Sequence, residues 1–318
     1  MSTRFRLLFF SLLISTIVWG QQKPQYTQYF QNMALINPAV TGIYSPITIK
    51  TGVRNQWSGL ENAPKTSHLS IGTILMERRK RQAYFSANET EWRSEKEEYL
   101  ASPSHHGVGL LIVNDRTGPL NRTTLNTTYA YHLALHQKGN LALGMGVGIN
   151  LINLNTSMLR FKSEGDAVIG NSGSLQKTFP DLNLGIYYYT ASFYLGAAAQ
   201  QVLPQKLSFA EASKQHEESV HYFIHSGYKF WISEEFSASP SLMLKYIPHL
   251  SPSCDANLKI AYRNDFWTGV SLKKDEYALM IGFSLFKKFS LGYAYEYASS
   301  DFQPTTSGSQ EIILGITF

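Results

Sequence analysis

Between residues 141 and 151 the chain alternates without a fault. Leu141, Leu143, Met145, Val147, Ile149 and Leu151 fall on one parity, and Ala142, Gly144, Gly146, Gly148 and Asn150 on the other. Successive side chains of a strand leave on opposite faces, so this is a strand with one apolar face and one bare or polar face. The same rule governs Tyr277, Leu279, Ile281, Phe283 and Leu285, then Phe289, Leu291, Tyr293, Tyr295 and Tyr297. Strands of soluble sandwiches mostly run to about 5–6 residues. These runs reach about 9–11, the length of a tilted strand that crosses a bilayer. Long period-2 runs in series therefore predict an all-β chain, and within that class a transmembrane outer-membrane β-barrel.

Alternation and its breaks place strands near 46–56, 65–76, 105–115, 120–136, 141–155, 179–190, 193–203, 219–232, 236–248, 254–263, 266–274, 277–286, 289–299 and 310–318. That makes about fourteen antiparallel strands, an even number as in single-chain bacterial barrels. In lipid every backbone donor and acceptor must be paired within the protein, so the sheet has to close. If the first strand runs outward, the periplasmic turns are tight: 137–140, 190–192, 233–235, 264–265 and 286–288. The connections on the other side include the long stretches 156–178, 204–218 and 300–309. One connection breaks the rule. The insertion 77–104, with its basic ERRKRQ and acidic NETEWRSEKEEY runs, falls on the periplasmic side and is long. It reads either as a solvated insertion or as a contact for partner proteins. The last strand, QEIILGITF, ends on Phe318, a terminal aromatic of the kind that barrel-assembly machinery reads.

The N-terminus predicts export. Arg4 and Arg6 precede the apolar run Leu7–Trp19, and the small Gly20 follows. This is the order of a secretory signal, with cleavage near Gly20–Gln21. Residues 1–20 are thus a signal peptide. Residues 21–45 form a periplasmic or plug segment, and 46–318 form the barrel. Cys254 is the only cysteine, so no intramolecular disulfide can form. The net charge of +5 is modest, and the basic residues make no stripe interleaved with stacking aromatics, which excludes nucleic acid as a partner.

The search for chemistry returns no catalytic, cofactor-binding or metal-binding residue. His225 and Ser226 are adjacent on a strand and so point to opposite faces, which defeats a hydrolase reading. His221 and His225 share a face with Lys229, the lumen wall, but lack a third metal ligand. Gly144 to Gly148 has neither the Lys-Ser/Thr ending nor the following helix of a phosphate loop. The stretch RNQWSGLENAPKT, Arg54 to Thr66, holds no nucleophile either. It closes the first hairpin, with Trp57 suited to the aromatic girdle at the membrane rim. Gly59 and Pro64 suit the turn, and Arg54 faces the lumen toward an acidic partner.

The start of the mature chain resembles the PorP/SprF family. The carrying residues are Gln25, Tyr26, Gln28 and Tyr29; Asn37, Pro38, Ala39 and Gly42; Arg54, Asn55, Gln56 and Trp57; and Ala63, Pro64, Lys65 and Thr66. Asp115 to Gly118, Tyr129 to Leu133 and the C-terminal SGSQEIILGITF also look like the family, and 77–104 is the main feature without a match. The resemblance implies a non-enzymatic outer-membrane component of the type IX secretion system, linked to gliding motility, that supports export or surface attachment of large adhesins. It implies as partners the translocon, periplasmic machinery proteins and secreted cargo with a C-terminal sorting domain, beside outer-membrane lipid. Family-motif or partner-contact candidates are Asn37, Pro38, Gly42, Arg54, Asn55, Gln56, Trp57, Pro64, Lys65, Asp115 and Gly118. No cofactor is implied. The alternative is an independent porin or transporter for small solutes.

Overall fold

The computed structural model describes residues 24–43, 47–75, 101–136, 139–159, 174–207, 216–274, 276–286, 288–298 and 306–318. The signal peptide (1–20) and most of the 77–104 insertion lie outside the described residues. The strands are β1 Ile47–Asn55, β2 Lys65–Leu75, β3 His105–Thr117, β4 Leu120–His136, β5 Gly139–Asn155, β6 Ser174–Tyr189 and β7 Phe193–Gln200. A small side hairpin follows, β8 Gln205–Leu207 with β9 His216–Glu218. Then come β10 His221–Tyr228, β11 Phe230–Trp231, β12 Phe236–Tyr246, β13 Ser253–Tyr262, β14 Phe266–Leu272, β15 Glu276–Leu285, β16 Phe289–Ala298 and β17 Ser309–Thr317. Short 3₁₀ turns are η1 Tyr29–Gln31, η2 Met33–Leu35, η3 Pro38–Val40 and η4 Thr156–Met158.

Every strand of the main sheet pairs antiparallel with its neighbours, and β1 with β17 and β10 with β12 close the ring. The result is a closed fourteen-stranded antiparallel barrel, with β11 continuing the line of β10 past Lys229. Its outer wall carries exposed apolar side chains such as Leu143, Val147, Leu184, Ile224, Leu244, Leu279 and Ile312. Exposed apolar side chains around most of the wall with polar groups buried inside invert a soluble core, as a lipid-facing barrel must. Among the described residues no helix is long and apolar enough to cross a membrane.

The ring is sheared. One row of paired outward residues starts at Phe236, where β12 begins, and passes through Tyr262, Phe266 and Phe283. It continues through Leu291, Leu314, Thr51, Leu69, Ile112, Leu125 and Ile149 to Pro180 in β6. Phe236 adjoins the rim of short connections, whereas Pro180 lies toward the opposite rim. Hydrogen-bonded rows thus climb around the barrel, as strand tilt requires.

Besides shifts of two or three residues at strand ends, three features differ from the sequence reading. β6 begins at Ser174 rather than 179, because Ser174–Thr178 pair with Leu151–Asn155 although they carry little aliphatic signal. The strand expected over 219–232 breaks at Lys229, whose ammonium lies 3.9 Å from the Trp231 ring centre and 3.3 Å from Asn264 Oδ1. Lys229 keeps the inward parity of His221 and His225, which are buried in the lumen, but sits past the end of β10. The loop expected over 204–218 contains the β8–β9 hairpin.

Candidate functional site within the barrel

The bore of the ring is filled. Residues Pro24–Ile43 run inside it, and Tyr26, Tyr29, Met33, Leu35, Ile36, Ala39 and Val40 are buried against Leu111, Ala142, Tyr187, Ala198, Phe223 and Met243 of the walls. A buried segment without a sheet or long helix must find partners for its backbone polar groups elsewhere. Three-residue 3₁₀ turns satisfy some of them, and the walls supply the rest. Gln200 Nε2 donates to the carbonyls of Leu35 and Ile36, both at 2.8 Å. His132 Nε2 donates to Thr41 O at 2.8 Å, and His105 Nε2 to Gly42 O at 3.0 Å. The Lys50 ammonium donates to Gln31 O.

Asn37 and Pro38 build the third turn. Asn37 Oδ1 accepts the Ala39 N–H at 2.9 Å, an N-cap, and Pro38 occupies the first position, where its missing N–H costs nothing. The other end of the Asn37 amide donates to Ile186 O at 3.0 Å and Ala197 O at 3.2 Å, with His225 Nε2 also at 3.2 Å. Gly42 takes a φ of +88°, where a side chain would be strained. The wall facing this end is pared back. A Cβ on Gly107 would lie 2.0 Å from Thr41 O, and one on Gly144 would lie 2.3 Å from the Ala39 backbone.

The opposite end is held by charge. The backbone N–H of Thr27 donates to Glu311 Oε2 at 2.9 Å, and that of Gln28 to Glu311 Oε1 at 3.0 Å. Arg54 Nη1 lies 2.7 Å from Glu296 Oε2 and 3.3 Å from Glu311 Oε2, and it donates to Thr27 Oγ1 at 2.6 Å. Lys273 Nζ completes the group at 2.9 Å from Glu296 Oε1 and 3.7 Å from Glu276 Oε2. Arg54, Glu296 and Glu311 are each at most 3 % exposed. Beside this cluster, burial raises the Tyr26 hydroxyl well above its ordinary pKa, so it stays neutral.

Among the sequence-derived candidates, Asn37, Pro38, Gly42 and Arg54 thus meet in the filled bore. The others gather at one rim. Gln56 N–H donates to Pro64 O at 2.9 Å, closing the first hairpin. Trp57 has a left-handed φ of +51° and is half-buried, its N–H donating to Ser309 Oγ at 3.1 Å. Asp115 accepts from Thr66 Oγ1 at 2.7 Å, and the Gly118 N–H, at a φ of +56°, from the next hairpin, donates to Asn62 O at 3.1 Å. Asn55 and Lys65 point outward, exposed. The barrel-assembly candidate Phe318 lies at the opposite rim, where it follows β17, exposed, its N–H donating to Ile47 O at 3.0 Å. His225 lies in the lumen, whereas Ser226 Oγ donates to Tyr194 O at 3.0 Å, so the two hydrolase-like residues do not converge.

Reasoning from sequence missed Thr27, Glu296, Glu311, Lys273, Gln200, His105 and His132. The two carboxylates were within reach. Each stands on the lumen parity of an otherwise clear strand, where a charge demands a buried partner.

A family model described as "Type IX secretion system membrane protein PorP/SprF" matches residues 18–316. The chain belongs to the PorP/SprF family. Membership joins this outer-membrane barrel to the type IX secretion machinery. No curated protein matches the sequence. Among solved structures the chain is similar to the CymD monoaromatic hydrocarbon channel, at 10% identity and a TM-score of 0.49, over 92% of this chain and 91% of that one. It is also similar to the P. putida toluene transporter TodX, at 11% identity and 0.49, over 90% and 94%. The Ralstonia pickettii toluene transporter TbuX follows at 12% and 0.48, over 89% and 92%. At these values nothing about ligand or transport passes from those proteins to this PorP/SprF chain.

Proposed function

We propose that this PorP/SprF barrel is a non-enzymatic, cargo-specific subunit of type IX secretion, one that supports export or surface attachment of proteins such as gliding adhesins and is not itself a route for solutes. The occupied bore carries this reading. Residues 24–43 act as a plug, held at one end by the Arg54 cluster and at the other by the Gly107 and Gly144 walls. A stoppered barrel works through its rims and outer wall. The translocon, periplasmic proteins and cargo with a C-terminal sorting domain are the partners to expect there. The signal peptide at 1–20 delivers the chain to the envelope, and the charged insertion 77–104 offers a periplasmic contact.

The test is affinity purification of the full-length protein from cells that secrete by this route, with the secreted proteins of a deletion strain compared in parallel. The reading expects translocon subunits and one or a few surface proteins to co-purify, with those same surface proteins missing from the deletion strain. A deletion strain with a normal secreted set and altered uptake of small solutes would support the porin alternative instead.

A further inference from the structure

Asn55 and Lys65 are family-motif residues that the plug does not use. They stand opposite each other on the outer wall, in a row that continues through Arg116, Asn121, Asn153 and Gln176. All six are on the outward parity. Five are exposed and Asn153 is half-buried. The row holds two cations and four amides and no carboxylate, unlike ordinary solvated surface, where both signs are interspersed.

Its position is equally specific. The row lies two outward steps beyond Leu69, Ile112, Leu125 and Ile149, the apolar row described above. β4 and β5 each run for 17 residues. At about 3.3 Å per residue and a 35–45° tilt they stand roughly 40–45 Å tall, against an apolar band of about 25 Å. The wall of β3–β6 therefore rises well past the hydrocarbon. On the other half of the barrel the same end of the strands carries Tyr222 against Tyr246 and Tyr277 against Tyr297, the aromatic girdle usual at a lipid interface. Where the girdle gives way to amides and cations, a cavity of about 260 Å³ opens among Arg116, Pro119, Asn121, Asn153, Asn155 and Met158. That is below the range of drug-sized pockets and suits a sugar ring or a phosphate.

We infer that this row is a binding site for the headgroup of a phosphorylated outer-leaflet glycolipid. Lys65 and Arg116 pair with its phosphates, and the Asn and Gln amides, donors and acceptors at once, pair with sugar hydroxyls. Because the row climbs around the barrel, it crosses the headgroup layer obliquely and meets phosphate and sugar at successive heights. The inference rests on the orientation in which the short connections face the periplasm, and it is independent of the secretion role.

The experiment uses the full-length barrel in detergent, offered bisphosphorylated lipid A and phosphatidylglycerol in competition, with bound lipid read by native mass spectrometry. The wild type should retain lipid A about tenfold over phosphatidylglycerol. The K65Q/R116Q variant should lose most retained lipid A. The N121A/N153A variant should lose the preference between the two anionic lipids. Heat-modifiable gel migration reports whether each variant is folded, and the wild-type competition stands whether or not they are. Equal retention of both lipids by the wild type overturns the inference. So does unchanged lipid A on both folded variants, or variants that keep lipid A and lose a co-purifying protein instead.

Discussion

The two ends of the plug are held in unlike ways. Around Thr27 and Gln28 the wall supplies Arg54, Lys273, Glu276, Glu296 and Glu311, two cations and three carboxylates of which Arg54, Glu296 and Glu311 are buried and the other two half-buried. Around Asn37–Gly42 it supplies carbonyls, imidazoles, the Thr128 hydroxyl and removed side chains. The first anchor depends on every charge keeping its partner. The second depends on shape and on single hydrogen bonds, and it tolerates loss in smaller steps. A plug fixed rigidly at one end and moulded at the other can stay seated while its two anchors fail separately.

The comparison can be broken from the charged end first. Arg54→Ala leaves Glu296 and Glu311 buried without their main partner and should cost about 3–5 kcal/mol in urea unfolding of the purified barrel. At the moulded end, Gly144→Val puts methyl groups into the Ala39 backbone. Overpacking of this kind costs about 1–3 kcal/mol, and here it should appear as a displaced plug, read as faster proteolysis within residues 24–43. Asn37→Ala removes the cap and the bonds to Ile186 and Ala197, for about 1–2 kcal/mol in the same unfolding assay. The smallest effect belongs outside the lumen. The Arg263 guanidinium pairs with Glu235 at a turn, which raises its pKa, yet it is fully exposed. Arg263→Ala should leave the unfolding midpoint unchanged, and a large shift there would undo the contrast between buried and exposed ion pairs.

The barrel was legible because alternation is a local property. Leu141–Leu151 states its two faces without reference to the rest of the chain, and the strand count follows from repeating that reading. Lumen-facing Arg54 was legible for the same reason, since a cation on the buried parity needs an acid. The start of β6 was not, because Ser174–Thr178 are paired by register with β5 and not by any apolar pattern of their own. Nor was the path of residues 24–43. Three isolated 3₁₀ turns leave no periodicity, and their partners Gln200, His132 and Glu311 lie 91 to 284 residues away in sequence. Asn37 and Pro38 stood out only as family-motif residues, and nothing in the sequence said that they cap a turn or which wall would receive it.

Ion conductance in planar bilayers tests the filled bore most directly, with the full-length protein measured beside a variant lacking residues 24–43. The intact chain should be silent and the shortened one should conduct. An intact chain that conducts as freely as the shortened one would contradict the account.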